Sequence, residues 1–190
     1  LDQMEKWVKE YFSDIKNRNL VRNRHDPVVL DEKETVRLIN VEPIKDIRQM
    51  NIMFELPATR DMYESKPESQ FGFIMGHEGK GSLLSYLKDR GWAITLSAGA
   101  RAETKEYGFA TVSIGLTEDG LKNYKEVLRS VAGYLDLMKS SGYQQHVFNE
   151  LGSMASLNEI YSSKGEGMWR ATQLANEALM FPLDDAGRVN

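Results

Sequence analysis

Gly76-His77-Glu78-Gly79-Lys80-Gly81-Ser82-Leu83-Leu84-Ser85-Tyr86-Leu87-Lys88-Asp89-Arg90-Gly91-Trp92 decides how the rest of this chain is read. Three glycines within six residues end one helical pattern and release another. Upstream, Pro67 is placed for a first helical turn, and a helix over 67–77 carries Phe71, Ile74 and Met75. Downstream, Ser82 is a natural N-cap for a second helix with Leu83, Leu84 and Leu87 on one face, stopped before Gly91. The local reading of the glycines is a tight interhelical turn that needs positive φ.

Strand patterns flank this helix, glycine turn and helix. Thr35 to Val41 reads as one strand, and Ile47 to Leu56 as a second, in which Met50, Ile52, Phe54 and Leu56 alternate with Asn51, Met53 and Glu55. Pro43 and Asp46 punctuate the turn between them, and Pro57 closes the pair. Beyond Trp92, strands are expected at about 93–101 and 107–116. Thr117-Glu118-Asp119 then starts a helix to about 141, with acidic groups at the positive end of its dipole. Its apolar stripe is Leu121, Tyr124, Leu128, Val131, Leu135 and Met138, ended by Gly142; a further helix over 143–162 carries Val147, Leu151, Met154 and Tyr161. The stripe and the Met and Trp residues are expected in the core. Strand pairs alternating with helix pairs predict an α+β fold, an antiparallel sheet covered on one face by helices in a two-layer sandwich.

The ends read differently. Met4, Trp7, Val8, Tyr11 and Phe12 give residues 3–12 an amphipathic helix whose apolar face needs a partner. Residues 13–34 are polar and irregular, and read as a linker between two packed units. The chain starts without Met or a signal-peptide pattern, and its last ten residues show no closing element. It therefore reads as a piece of something longer: 1–12 ending one domain, 13–34 a connection, and 35–190 a second domain truncated at its C-terminus.

Composition narrows the chemistry. The 190 residues hold 24 Lys and Arg against 28 Asp and Glu, a formal charge of −4, with three His and no Cys. Thiolate metal sites and a cysteine nucleophile are excluded, and the mild acidity argues against a nucleic-acid binder. No stretch reaches the roughly 20 apolar residues of a membrane span. His77-Glu78 begins a His-Glu-x-x-His zinc motif, but the position of its second histidine is Gly81. His146 and Glu150 sit four apart on a helix with no third ligand, and read as a surface hydrogen bond. The Gly-Lys pair at 79 and 80 fails the phosphate-loop spacing, since Gly81 follows Lys80 and Ile74 stands where the first glycine belongs. No Gly-x-Ser-x-Gly nucleophile elbow is present.

The 76–92 stretch, together with Val41-Glu42-Pro43-Ile44-Lys45-Asp46-Ile47-Arg48, Leu116-Thr117-Glu118-Asp119-Gly120-Leu121 and Phe181-Pro182-Leu183, closely resembles the pitrilysin/insulinase family of zinc metallopeptidases. The resemblance covers essentially the whole chain. It implies a parent protein that is a zinc metalloendopeptidase degrading peptides, with homologous α+β domains arranged as a clamshell. The zinc would be held by the first domain, upstream of this chain, and none by this piece, so no residue here is expected to be catalytic or to bind metal. This piece resembles the second, non-catalytic domain.

In the family, that domain lines the chamber and carries an exosite that anchors the substrate's N-terminus beside an exposed strand edge. By resemblance, the turn glycine and glutamate of the exosite are Gly76 and Glu78, and its strand is Leu96-Ser97-Ala98-Gly99-Ala100. Glu78 would receive the peptide's α-ammonium, while the strand would offer side-chain-independent hydrogen bonds through Leu96, Ser97, Ala98 and Gly99. The chain departs from the family pattern at Phe73, Ala98 and Ala100, where the family has His, Gly and Gln. Expected partners are peptide substrates and the remaining domains of the parent, with no nucleic acid and no membrane; a homodimer of the parent is left open. A bacterial parent would be periplasmic or exported and a eukaryotic one cytoplasmic, and the absence of Cys leans to the former. The competing class is a non-catalytic scaffold subunit of the same fold, as in processing-peptidase or respiratory-core assemblies.

Overall fold

The computed structural model describes residues 1–20, 36–57, 59–102, 104, 106–163, 165–182 and 184–185. In chain order its elements are α1 (Asp2–Phe12), β1 (Gln49–Pro57), a 3-10 turn (Arg60–Met62), α2 (Pro67–Met75), α3 (Leu83–Asp89), β2 (Ala93–Ala102), β3 (Tyr107–Leu116), α4 (Glu118–Lys122), α5 (Tyr124–Ser141), α6 (Gln145–Tyr161) and α7 (Gly167–Met180).

The strands form one antiparallel sheet in the order β1-β3-β2, so β1 and β2 are both outer strands. Register follows the period-2 alternation of apolar residues. Met50 pairs with Ile114 and Ile52 with Val112 on one side of β3, and Leu96 pairs with Ile114 and Ala98 with Val112 on the other. All of these side chains point to one face, where Leu96, Val112 and Ile114 meet Met75, Leu84, Leu87, Val127 and Val131 from the helices. The helices cover that face alone. The opposite face holds Asn51, Met53, Ser97, Gly99, Thr111 and Ser113 and is open among the described residues. This is the expected α+β sandwich.

Several details differ from expectation. No strand forms over 36–41: Val36, Leu38, Ile39 and Val41 lie 64–87% exposed in irregular backbone, and Thr35 lies outside the described residues. Apolar alternation makes a strand only where a neighbour pairs with its backbone, and here none does. The sheet therefore has three strands among the described residues. Of the expected linker, 13–20 is exposed and lacks regular structure beyond a turn at 13–14, while 21–34 lies outside the described residues.

The helix expected to 141 is broken at Asn123 (φ −102°, ψ 24°), whose side-chain amide donates to the Asp119 carbonyl oxygen at 2.8 Å. Beyond the break Val127 and Val131 of α5 are buried, whereas Leu121 of α4 and Leu128 of α5, both expected in the core, are exposed. Gly142, at φ +65°, ends α5 as read. Helix α7 has no counterpart in the sequence reading, because its start lacks a side-chain cap and its only buried residue is Glu177. Met75 is fully buried, but Met4, Trp7, Met154, Met168 and Trp169 are exposed, because α1, α6 and α7 turn much of their apolar surface outward. No helix among the described residues is long and apolar enough to cross a membrane.

Candidate functional site

The helix-turn-helix stretch sits beside the outer edge of β2. Helix α2 begins at Pro67 and ends at Gly76, whose N–H donates to the Gly72 carbonyl oxygen at 2.9 Å. The next amide, of His77, donates to the Ile74 carbonyl oxygen at 3.4 Å. The His77 ring then closes the turn, its Nδ1 accepting the Gly79 N–H at 3.0 Å. Of the three turn glycines only Gly81 has positive φ, at +87°; Gly76 adopts φ −86°, open to any residue. Ser82 caps α3 as read, its Oγ accepting the Ser85 N–H at 3.1 Å.

Gly76 lies against β2. An ideal Cβ there would crowd the Gly72 oxygen at 2.8 Å and would reach the Ala98 nitrogen and oxygen at ordinary contact distances of 3.7 and 3.9 Å. Within a strand, the N–H and C=O of one residue point to the same side, so the Ala98 main chain faces α2, away from β3. The turn and the edge of β2, unpaired among the described residues, are therefore adjacent. Glu78 projects from this turn, exposed and with no hydrogen bond or ion pair among the described residues.

The other expected site residues fall on the two faces of β2. The Leu96 side chain is 5% exposed and belongs to the core, so only its main chain is available at the edge. The Ala98 methyl is half-buried on the same side under α2. Ser97 and Gly99 lie exposed on the open face, beside a depression of about 400 Å³ floored by Thr111 and Ser113. Ser113 Oγ donates to Asn51 Oδ1 at 2.8 Å on this face, and Arg101 lines the same depression. Phe73 packs edge-on against the His77 ring, with centroids 6.3 Å apart. Sequence reasoning missed Gly72, which faces Ala98 one turn before Gly76; the signal was the Gly72-x-x-x-Gly76 spacing, which puts both glycines on one helix face.

The residues present do not fit a zinc site. Among the described residues no group of three or more His, Cys, Asp or Glu side chains is gathered as ligands. The His77 Nδ1 is occupied by a backbone N–H. His146 and Glu150 are both exposed on α6 and are not hydrogen-bonded to each other, contrary to expectation.

Residues 1–152 match the family model described as the peptidase M16 inactive domain. The A-factor-processing enzyme of Saccharomyces cerevisiae is 32% identical over 175 residues, covering 92% of this chain and 17% of that protein. Human nardilysin is 30% identical over 191 residues (97% of this chain, 17% of that protein), and the insulin-degrading enzyme of Drosophila melanogaster 29% over 185 (97% and 19%). The crystal structure of pitrilysin superimposes with a TM-score of 0.74 at 20% identity, covering all of this chain and 21% of that one, which supports the fold. The chain thus spans about a fifth of the length of the proteins it matches. With the family model matched over most of its length, it belongs to the insulinase/pitrilysin family of metallopeptidases, in the region of the family's inactive M16 domain.

Proposed function

We propose that this chain is the substrate-handling part of a zinc metalloendopeptidase: its sheet lines the chamber, and the β2 edge with Glu78 anchors the N-terminus of a peptide. One observation carries the reading. Gly76 packs against the Ala98 main chain, which brings an exposed carboxylate without a partner among the described residues beside an unpaired strand edge. A peptide laid along β2 gains main-chain hydrogen bonds whatever its side chains, and its α-ammonium finds a counter-charge at Glu78. Residues 1–12 would close the preceding domain, 13–34 connect, and 35–190 form the second domain; the absence of any buried residue in α1 fits that division. Zinc and catalysis belong to the rest of the parent, and the isolated chain should hydrolyse nothing.

The test is the affinity of the full-length parent for a peptide with a free N-terminus against its acetylated form. The free peptide should bind about two- to fivefold more tightly, the range an exposed ion pair supplies, and Glu78→Gln should remove the difference. Equal affinities for the two peptides in the unsubstituted enzyme would refute the reading.

A further inference from the structure

We infer that Gly72 is a positioning residue for this edge: it sets how closely α2, and with it Glu78, lies against the β2 main chain at Ala98. The inference rests on the reading of the edge proposed above. Gly72 stands inside α2, where glycine is among the poorest helix formers, so its presence calls for a reason other than helix stability. Backbone conformation does not provide one, since the positive-φ glycines are Gly81, Gly91 and Gly142. Contact does. A Cβ on Gly72 would lie 3.3 Å from the Ala98 oxygen and 3.5 Å from the Gly99 Cα, both backbone atoms of a paired strand that cannot rotate aside.

The turn that carries Glu78 is tied to this contact. Gly76 donates to the Gly72 oxygen itself, His77 donates to Ile74, and the His77 ring holds Gly79. A displacement of α2 is therefore passed to Glu78. A methyl at position 72 acts on a bound peptide in two ways: it crowds the Ala98 carbonyl at the edge, and it moves the anchoring carboxylate outward by a few tenths of an ångström. Both weaken capture of a free N-terminus; because α2 also carries Met75 and Phe71 to the core, the same shift lowers stability, and the thermal midpoint reads that part separately.

The experiment compares the full-length parent with its Gly72→Ala, Gly72→Val, Glu78→Gln and Gly133→Ala variants, measuring affinity for one peptide in free and acetylated forms and the thermal midpoint of each protein. Gly133 lies in α5, where an added Cβ meets nothing within 4 Å, and controls for a glycine-to-alanine change in a helix. The expected result is a preference for the free peptide that is reduced in Gly72→Ala, lost in Gly72→Val and Glu78→Gln, and unchanged in Gly133→Ala. A purely structural role would lower the thermal midpoint and weaken both peptides alike. If Glu78→Gln removes the preference while a folded Gly72→Ala keeps it in full, the positioning role is overturned and the anchoring role stands. If the unsubstituted enzyme shows no preference, both fail.

Discussion

A methyl added to Gly120 would overlap the Trp92 carbonyl oxygen, so α4 can reach the start of β2 only through glycine. Gly120→Ala should destabilise the protein by about 3 kcal/mol, the upper end of overpacking costs, as read from denaturant midpoints. Tyr63 shows a different residue-scale effect. Its hydroxyl donates to Asp185 Oδ2 at 2.7 Å, and that hydrogen bond, with smaller contributions from burial and the nearby carboxylates, pushes its pKa from 10.0 up to about 12. A phenol whose folded pKa is raised contributes stability that is fully present below pH 10 and lost as pH rises through 12. The stability gap between the unsubstituted protein and Tyr63→Phe should therefore be flat up to about pH 10 and shrink above it, measured by urea unfolding across that range. The sequence pointed to Gly76, Glu78 and the β2 strand through their motif. Gly72, Gly120 and the Tyr63–Asp185 pair were hidden in it, because their meaning lies in a backbone atom or side chain that only the fold brings close.

At the scale of elements, local chemistry was readable wherever one residue sets the backbone. Ser82 and Thr117 cap α3 and α4 as their sequences indicate. Thr117 does more than cap: its Oγ1 accepts the Gly120 N–H at 2.9 Å and donates to the Gly91 oxygen at 2.6 Å, while its own N–H donates to the Trp92 oxygen at 3.1 Å. The turn before β2 is thereby fastened to the turn after β3. Thr117→Ala should cost about 1–2 kcal/mol of stability for the lost cap and turn contact, whereas Thr117→Ser, which keeps the hydroxyl, should recover most of it in the same unfolding measurement. Elements that depend on distant partners were not readable in this way. The expected strand at 35–41 is rich in Val, Leu and Ile but has no neighbour over its described residues, and the break at Asn123 depends on a side-chain bond that periodicity cannot see.

Across the whole molecule, the core lies on one face of the sheet, and the proposed anchor lies at the outer edge of β2 beside α2. The helix-covered face holds the core, in which Leu84 is 1% exposed; Leu84→Ala should cost about 2–5 kcal/mol and lower the thermal midpoint without altering the preference for a free N-terminus. The sandwich was foreseeable from the order of strand and helix pairs, and the family from a long glycine motif. The extent of outward apolar surface on α1, α6 and α7 was not, because periodicity marks an apolar face without saying what covers it. In the function proposed for this chain, a peptide is held along the outer edge of β2. Hydrogen–deuterium exchange on the full-length parent, with and without a saturating free-N-terminus peptide under conditions that block cleavage, tests it most directly. Peptide binding should slow exchange across Leu96–Ala100 and the 76–79 turn, with little change in β1; protection elsewhere and none in β2 would refute anchoring at this edge.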